Sequence, residues 1–200
     1  MSDAAIPSAD IDARIAARLR GLRQARGLSL DGLAAAAGVS RAMLSRIERG
    51  ESSATAHLLN RIAAGLATTL SDLLAEPPAA PARLRRLAEQ SEWVDPASQY
   101  RRRAISPPGT ALEVVEVVFP PGGRVGFDNR GLAGRDQLLW LREGVLEITL
   151  GAECHVMAAG DCLHTGLDQP IVFHNPGPDP ARYVVLIGPF QPVPTLGGAR

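Results

Sequence analysis

Ser40, Arg41, Ala42, Ser45 and Arg46 bring two guanidinium groups, two hydroxyls and a methyl into one short segment. Such a set suits reading the edges of base pairs. An arginine fork matches the two acceptors of guanine, and an alanine methyl can meet the methyl of thymine. A second group, Cys154, His155, Cys162, His164 and His174, offers thiolates and imidazoles that would suit zinc. Its spacing argues against a shared ion. Cys154 and His155 are neighbours on an expected strand and must point to opposite faces, and the Cys162/His164 pair that does share a face supplies only two donors. Ordinary packing and hydrogen bonding is the favoured reading of this group, with a metal or thiol sensor as the alternative.

The first group needs a rigid support that leaves one face free. Ile11, Ile15, Leu19 and Leu22 recur at helical spacing in a first helix that Gly27 closes. Ser29 is placed to cap a second helix whose Leu33, Ala34 and Ala37 face inward, and Gly38 supplies a tight turn. Ser40 caps a third helix carrying Leu44 and Ile47 inward, ended by Gly50. Thr55 begins a fourth with Leu59, Ile62, Ala63 and Leu66, and Ser71 is expected to cap a short fifth with Leu73 and Leu74. Two short helices across Ala37-Gly38-Val39 form a helix-turn-helix pattern, in which the N-terminal half of the second helix enters the major groove. The plainer reading is a structural helical hairpin with a solvated arginine face.

Charge and composition agree with a polyanion partner for the N-terminal half. The net charge is zero, yet residues 12–61 hold nine Arg against four acidic residues, and residues 104–200 hold six against ten. All basic residues are Arg; with Ala and Gly so frequent, a GC-rich genome accounts for that as well as function does. The only two cysteines provide no disulfide framework, which fits a reducing cytoplasm. The opening MSDAAIPSAD lacks the basic and apolar regions of a signal peptide, and no stretch approaches a membrane span. A soluble, cytoplasmic protein is therefore expected.

The chain changes character near Glu76. The segment PPAAP cannot hold a helix, and residues 77–110 read as a linker with a helical turn or two. From Ala111 the runs ALEVVEVVF, DQLLWLR, VLEITL, CHVM, PIVFHN and RYVVLI alternate with PPGG, EG, GAE, AAGD and NPGPDP turns, which predicts a small β-barrel or sandwich. The expected fold class is thus α+β by separate domains. It comprises an arm (1–11), an all-α five-helix domain (12–76), the linker (77–110), an all-β domain (111–190) and a tail (191–200).

Across about residues 12–74, the pattern GVSRAMLSRIERGESSAT…LLNRIAAGL…LSDLL resembles the lambda-repressor-like, XRE-type family of regulators. The resemblance implies double-stranded operator DNA as partner, with Ser40, Arg41, Ala42, Ser45 and Arg46 as the reading surface. Two positions depart from the family pattern: Ala54 stands where proline is frequent, and Leu30 where glutamine is frequent. That glutamine often supports the recognition helix or holds a phosphate, so backbone clamping falls to Ser29, Ser52 and Thr55. Glu48 and Arg49 are expected to serve the fold or its charge balance, and Arg14, Arg18, Arg20 and Arg23 to solvate the first helix, with phosphate contact at the edges of the site as the alternative for some of them.

The segments WLREGVLEITLG and AAGD…FHNPG resemble the two motifs of the cupin family, a small β-barrel, over about residues 112–188. Many cupin enzymes bind metal through His and Glu donors at these motifs. Here the glutamate position holds Gln137, the first-motif histidine positions fall near Arg130–Ala133, and the second-motif position holds Ile171. No metal, cofactor or catalytic group is therefore expected. Gln137, Leu139, His164, Ile171 and Phe173 are the expected lining of a pocket for a small organic effector. The combined reading is a homodimeric regulator whose barrel dimerises and senses. A DNA-tethered cupin enzyme and an antitoxin-like protein-interaction module are the alternatives.

Overall fold

A computed structural model describes residues 8–75, 83–129, 132 and 134–189. Most of the expected arm, the PPAAP segment and the tail lie outside the described residues. Five helices come first: α1 (Ser8–Ala25), α2 (Leu30–Ala37), α3 (Arg41–Glu48), α4 (Ala56–Gly65) and α5 (Leu70–Leu74). Three start at the residues whose hydroxyls were expected to cap them. Ser29 accepts from the Gly32 N–H at 3.0 Å, Ser40 from Met43 at 3.2 Å and Thr55 from Leu58 at 3.3 Å. The fifth cap differs from expectation. Thr69, not Ser71, caps α5, with Asp72 returning the bond to the Thr69 N–H in a reciprocal capping box. Ser71 lies inside the helix.

Leu19, Leu33, Leu44, Ile47, Leu59, Ile62 and Leu73 meet in the core of this helical domain and are almost fully buried. Two glycines have specific duties in it. Gly38 takes a left-handed conformation, φ +63°, and turns the chain between α2 and α3. Gly65 lets α4 approach α2, since a Cβ there would sit 2.8 Å from the Ala37 nitrogen.

Ten strands follow: β1 (Glu92–Val94), β2 (Arg101–Ala104), β3 (Glu113–Phe119), β4 (Arg124–Phe127), β5 (Arg135–Glu143), β6 (Val145–Leu150), β7 (Glu153–Ala158), β8 (Cys162–Gly166), β9 (Ile171–His174) and β10 (Ala181–Pro189). They form two antiparallel sheets, ordered β1-β2-β3-β10-β5-β8 and β4-β9-β6-β7. Strands β1 and β2 fall inside the stretch read as a linker, so the sheet begins earlier in the chain than expected. The sheets face each other over a core in which Val117, Phe119, Leu139 and Leu141 of one meet Leu146, Ile148, Ile171 and Phe173 of the other. This is an all-β domain of two packed antiparallel sheets.

Helical and β domains are joined by specific polar contacts. Asn60 on α4 donates to the Gly126 carbonyl of β4 at 2.6 Å, and Asp95 accepts from the Ala56 N–H at the start of α4 at 2.8 Å. Asp72 on α5 pairs with Arg135 on β5 at 2.8 Å, while Arg102 of β2 donates to the Ser71 hydroxyl.

Candidate nucleic-acid interface and barrel cavity

Helix α3 buries one side and exposes the other. Leu44, Ile47 and Glu48 are buried, Val39 and Met43 half-buried, and Ser40, Arg41, Ala42 and Arg46 exposed. Spacing alone creates that division, because residues three and four apart share a face. The capping hydroxyls of Ser29, Ser40 and Thr55 each accept a backbone N–H and retain their own O–H, a donor suited to a phosphate oxygen. Ser52 is half-buried in the loop between α3 and α4. Ser45 is half-buried and accepts from Arg49, which also grips Glu51 at 2.5 Å. Arg41 pairs with Asp31 at 3.1 Å, both more than three-fifths exposed. Exposed pairs of this kind are worth roughly 1 kcal/mol or less, so the guanidinium can exchange Asp31 for another anionic partner.

Arg18, Arg20 and Arg23 correct the expectation that they solvate the first helix. Arg23 forms a two-bond pair with Glu48, at 2.7 and 2.9 Å, with both side chains largely buried. Its hydrogen bonds to Glu48 raise the Arg23 pKa further, against the opposing effect of burial. Arg20 donates to the Glu48 carbonyl and Arg18 to the Asp72 carbonyl. These side chains tie α1 to α3 and α5. Sequence reasoning also missed Arg61, which donates to the Ala37 carbonyl at 3.2 Å and to the Gly38 carbonyl, closing the end of α2 beside the turn. Leu30, standing where a polar residue was expected from the family pattern, is half-buried against the core, and Ala54 is buried.

A cavity of about 40 Å³ lies where α5 meets the barrel interior. Gln137, Ile171 and Phe173 line it. Two other expected lining residues do not. Leu139 is fully buried in the core between the sheets, and His164 stands on the outer face, opposite Leu138, 3.3 Å from Asp136. The alternation of a strand explains the error with His164: one residue's difference in register reverses a side chain's face. Tyr100, Arg102 and Asn129, together with Ser71 from the helical domain, complete the polar wall. None of these four was expected there. The run YRRR concealed the alternation, with Arg101 exposed, Arg102 buried and Arg103 half-buried.

The metal donors that the cupin resemblance would require do not fit here. An amide at Gln137 and an alkyl group at Ile171 stand at two expected positions, while Arg130, Gly131 and Ala133 lie outside the described residues. No group of three or more His, Cys, Asp or Glu among the described residues could hold a metal ion. Cys154 and Cys162 are exposed free thiols, and His174 is committed to Glu147 at 2.7 Å. No helix among the described residues is long and apolar enough to cross a membrane.

Residues 19–73 match the helix-turn-helix family model HTH_3. Over 169 residues the chain is 28% identical to the HTH-type transcriptional regulator SutR of Escherichia coli K12, covering 84% of this chain and 91% of that protein. The crystal structure of an HTH_3 family transcriptional regulator from Vibrio cholerae is similar at a TM-score of 0.72 and 26% identity, covering 92% of this chain and 100% of the other. A cupin domain of an XRE family transcriptional regulator from Enterobacter cloacae is 16% identical at a TM-score of 0.43, covering 46% of this chain and 98% of that domain. The chain therefore has a helix-turn-helix domain of the HTH_3 type, followed by a β domain of two antiparallel sheets.

Proposed function

We propose that this protein is a sequence-specific DNA-binding transcriptional regulator that acts in the cytoplasm as a homodimer. Each α3 reads one operator half-site, and the β domain joins the two copies and senses a small effector. The observation that carries the reading is the division of α3. Arg41, Ala42 and Arg46 are exposed at the surface, while Leu44, Ile47 and the Arg23–Glu48 pair fix the helix from behind. Ser29, Ser52 and Thr55 are the proposed phosphate contacts. One such helix reaches few bases, so two copies on a symmetric site are needed for specificity.

The outer face of the six-stranded sheet supports the dimer. Leu138 and Trp140 of β5 are exposed, and their register partners on β10 are Leu186 and Val184; Val114 of β3 lies beyond Leu186. A second copy laid on this face would cover apolar surface that otherwise meets water. A non-enzymatic role is favoured by the donor set of the barrel, where Gln137 and Ile171 occupy positions that catalytic cupins give to metal ligands.

The test is selection of bound sequences from random duplex DNA with the full chain, followed by mapping of occupied sites in the genome of origin. A two-fold symmetric sequence with half-sites about 34–36 Å apart, or a multiple, is expected. Recovery of no enriched sequence would overturn the proposal.

A further inference from the structure

We propose that the cavity between α5 and the barrel binds a small carboxylate, held by Arg102 and Gln137. This deepens the effector reading above and rests on it only for the regulatory consequence. The two polar groups carry the case independently. Gln137 is 5% exposed, lines the cavity, and its Nε2 has no hydrogen-bond partner. A buried amide donor without an acceptor is uncommon in a folded protein and calls for one. Arg102 is 8% exposed and lines the same cavity, yet its bonded partners are neutral: the Tyr100 hydroxyl at 3.0 Å and the Ser71 hydroxyl. A buried guanidinium ordinarily sits against an anion. Glu113 acts on it through charge without a direct hydrogen bond, so no carboxylate touches the guanidinium.

A carboxylate answers both demands, since its oxygens accept from a guanidinium and an amide at once. Size limits the rest of the molecule. A water needs about 10–15 Å³ by this measure, so 40 Å³ holds about three waters, or a ligand of about four non-hydrogen atoms. The remaining wall is apolar, with Phe127, Ile171, Phe173 and Val185, and would accept a short alkyl tail. The regulatory route follows from Ser71. This helical-domain residue shares the Arg102 guanidinium, so an anion drawn to Arg102 acts on the joint between the domains.

The experiment titrates the full-length protein with sodium formate, acetate and propionate at constant ionic strength, reading heat and unfolding temperature. Formamide, acetamide and propionamide serve as neutral isosteres. Saturable binding by at least one carboxylate, at least tenfold tighter than its amide, is expected. Gln137→Leu should weaken it about tenfold without lowering the unfolding temperature. Arg102→Gln should abolish it, and circular dichroism reports whether that variant is folded. No saturable binding, equal binding of amides, or full binding by Gln137→Leu would each overturn the site. Operator affinity measured with and without the carboxylate separates the two readings. Tight binding with unchanged operator affinity would leave the site standing and remove its role as a sensor.

Discussion

Arg23 spans from α1 to grip both carboxylate oxygens of Glu48, at 2.7 and 2.9 Å, on the buried face of α3, away from the exposed residues proposed to meet DNA. The pair fixes the base of α3, and Arg20 reinforces it through the Glu48 carbonyl. Removing one partner strands the other in a largely buried place. Glu48→Ala should therefore cost about 3 kcal/mol in unfolding by urea, far more than loss of an exposed pair. Replacing both residues with apolar ones should restore part of that stability. An unchanged urea midpoint in Glu48→Ala would contradict the role given to the pair.

Arg41 and Arg46 make a different kind of prediction, because neither is buried. Arg41→Ala should weaken cognate operator binding by about 1–3 kcal/mol and relax preference at one base pair. Non-specific affinity should change much less. A phosphate contact would instead weaken all sequences alike and reduce the salt slope by about one. Gel-shift titrations at several salt concentrations distinguish the two, and equal losses would move Arg41 off the base-reading surface.

Acid sensitivity should centre on Asp72, where the two domains meet. Burial alone would raise its carboxyl, but the Thr69 backbone N–H, Arg135 and the Thr68 and Thr69 hydroxyls hold it below the ordinary range. A carboxylate lowered by folding adds stability above its unfolded value of about 3.9, and that stability is lost as pH falls through the lower folded value. Urea midpoints should decline below about pH 4, and Asp72→Asn should flatten that decline. Glu113 has the opposite sign. Burial raises it against the pull of Arg102, so its stabilising contribution is lost as pH rises above its unfolded value of about 4.3. Glu113→Gln should remove that loss while keeping the decline at lower pH.

Local chemistry was legible in the sequence and distant pairing was not. Caps at Ser29, Ser40 and Thr55 follow from a hydroxyl three residues before its donor, and the inward set Leu33, Leu44 and Ile47 follows from helical period. The alternating strands from Val145 onward were readable for the same reason, with VLEITL spanning β6 end to end. Arg23 and Arg102 carry no such signal. Their partners lie 25 and 31 residues away, and an arginine that will be buried looks like one that will be solvated until the chain has folded. Asn60 finds its acceptor 66 residues on. The cavity was thus half legible: motif spacing led to Gln137, Ile171 and Phe173, whereas Tyr100, Arg102 and Ser71 reach it through topology.

Dimerisation through the outer face of the larger sheet can be broken without touching the barrel interior. Trp140 is 41% exposed, carries Arg142 over its ring at 4.5 Å, and lies beside Leu138 and Val184 on the apolar face. Trp140→Glu would place a carboxylate where a second copy is proposed to pack, at a cost that the monomer avoids by leaving the group in water. The full-length protein should sediment as a dimer at micromolar concentration and the variant as a monomer with an unchanged unfolding midpoint at low concentration. Operator binding should weaken on the symmetric site, because the two half-sites no longer bind through one linked pair of domains. A single half-site should be bound equally by both proteins. A variant that stays dimeric would place the interface elsewhere on the barrel, and a wild-type monomer at these concentrations would remove the dimer altogether.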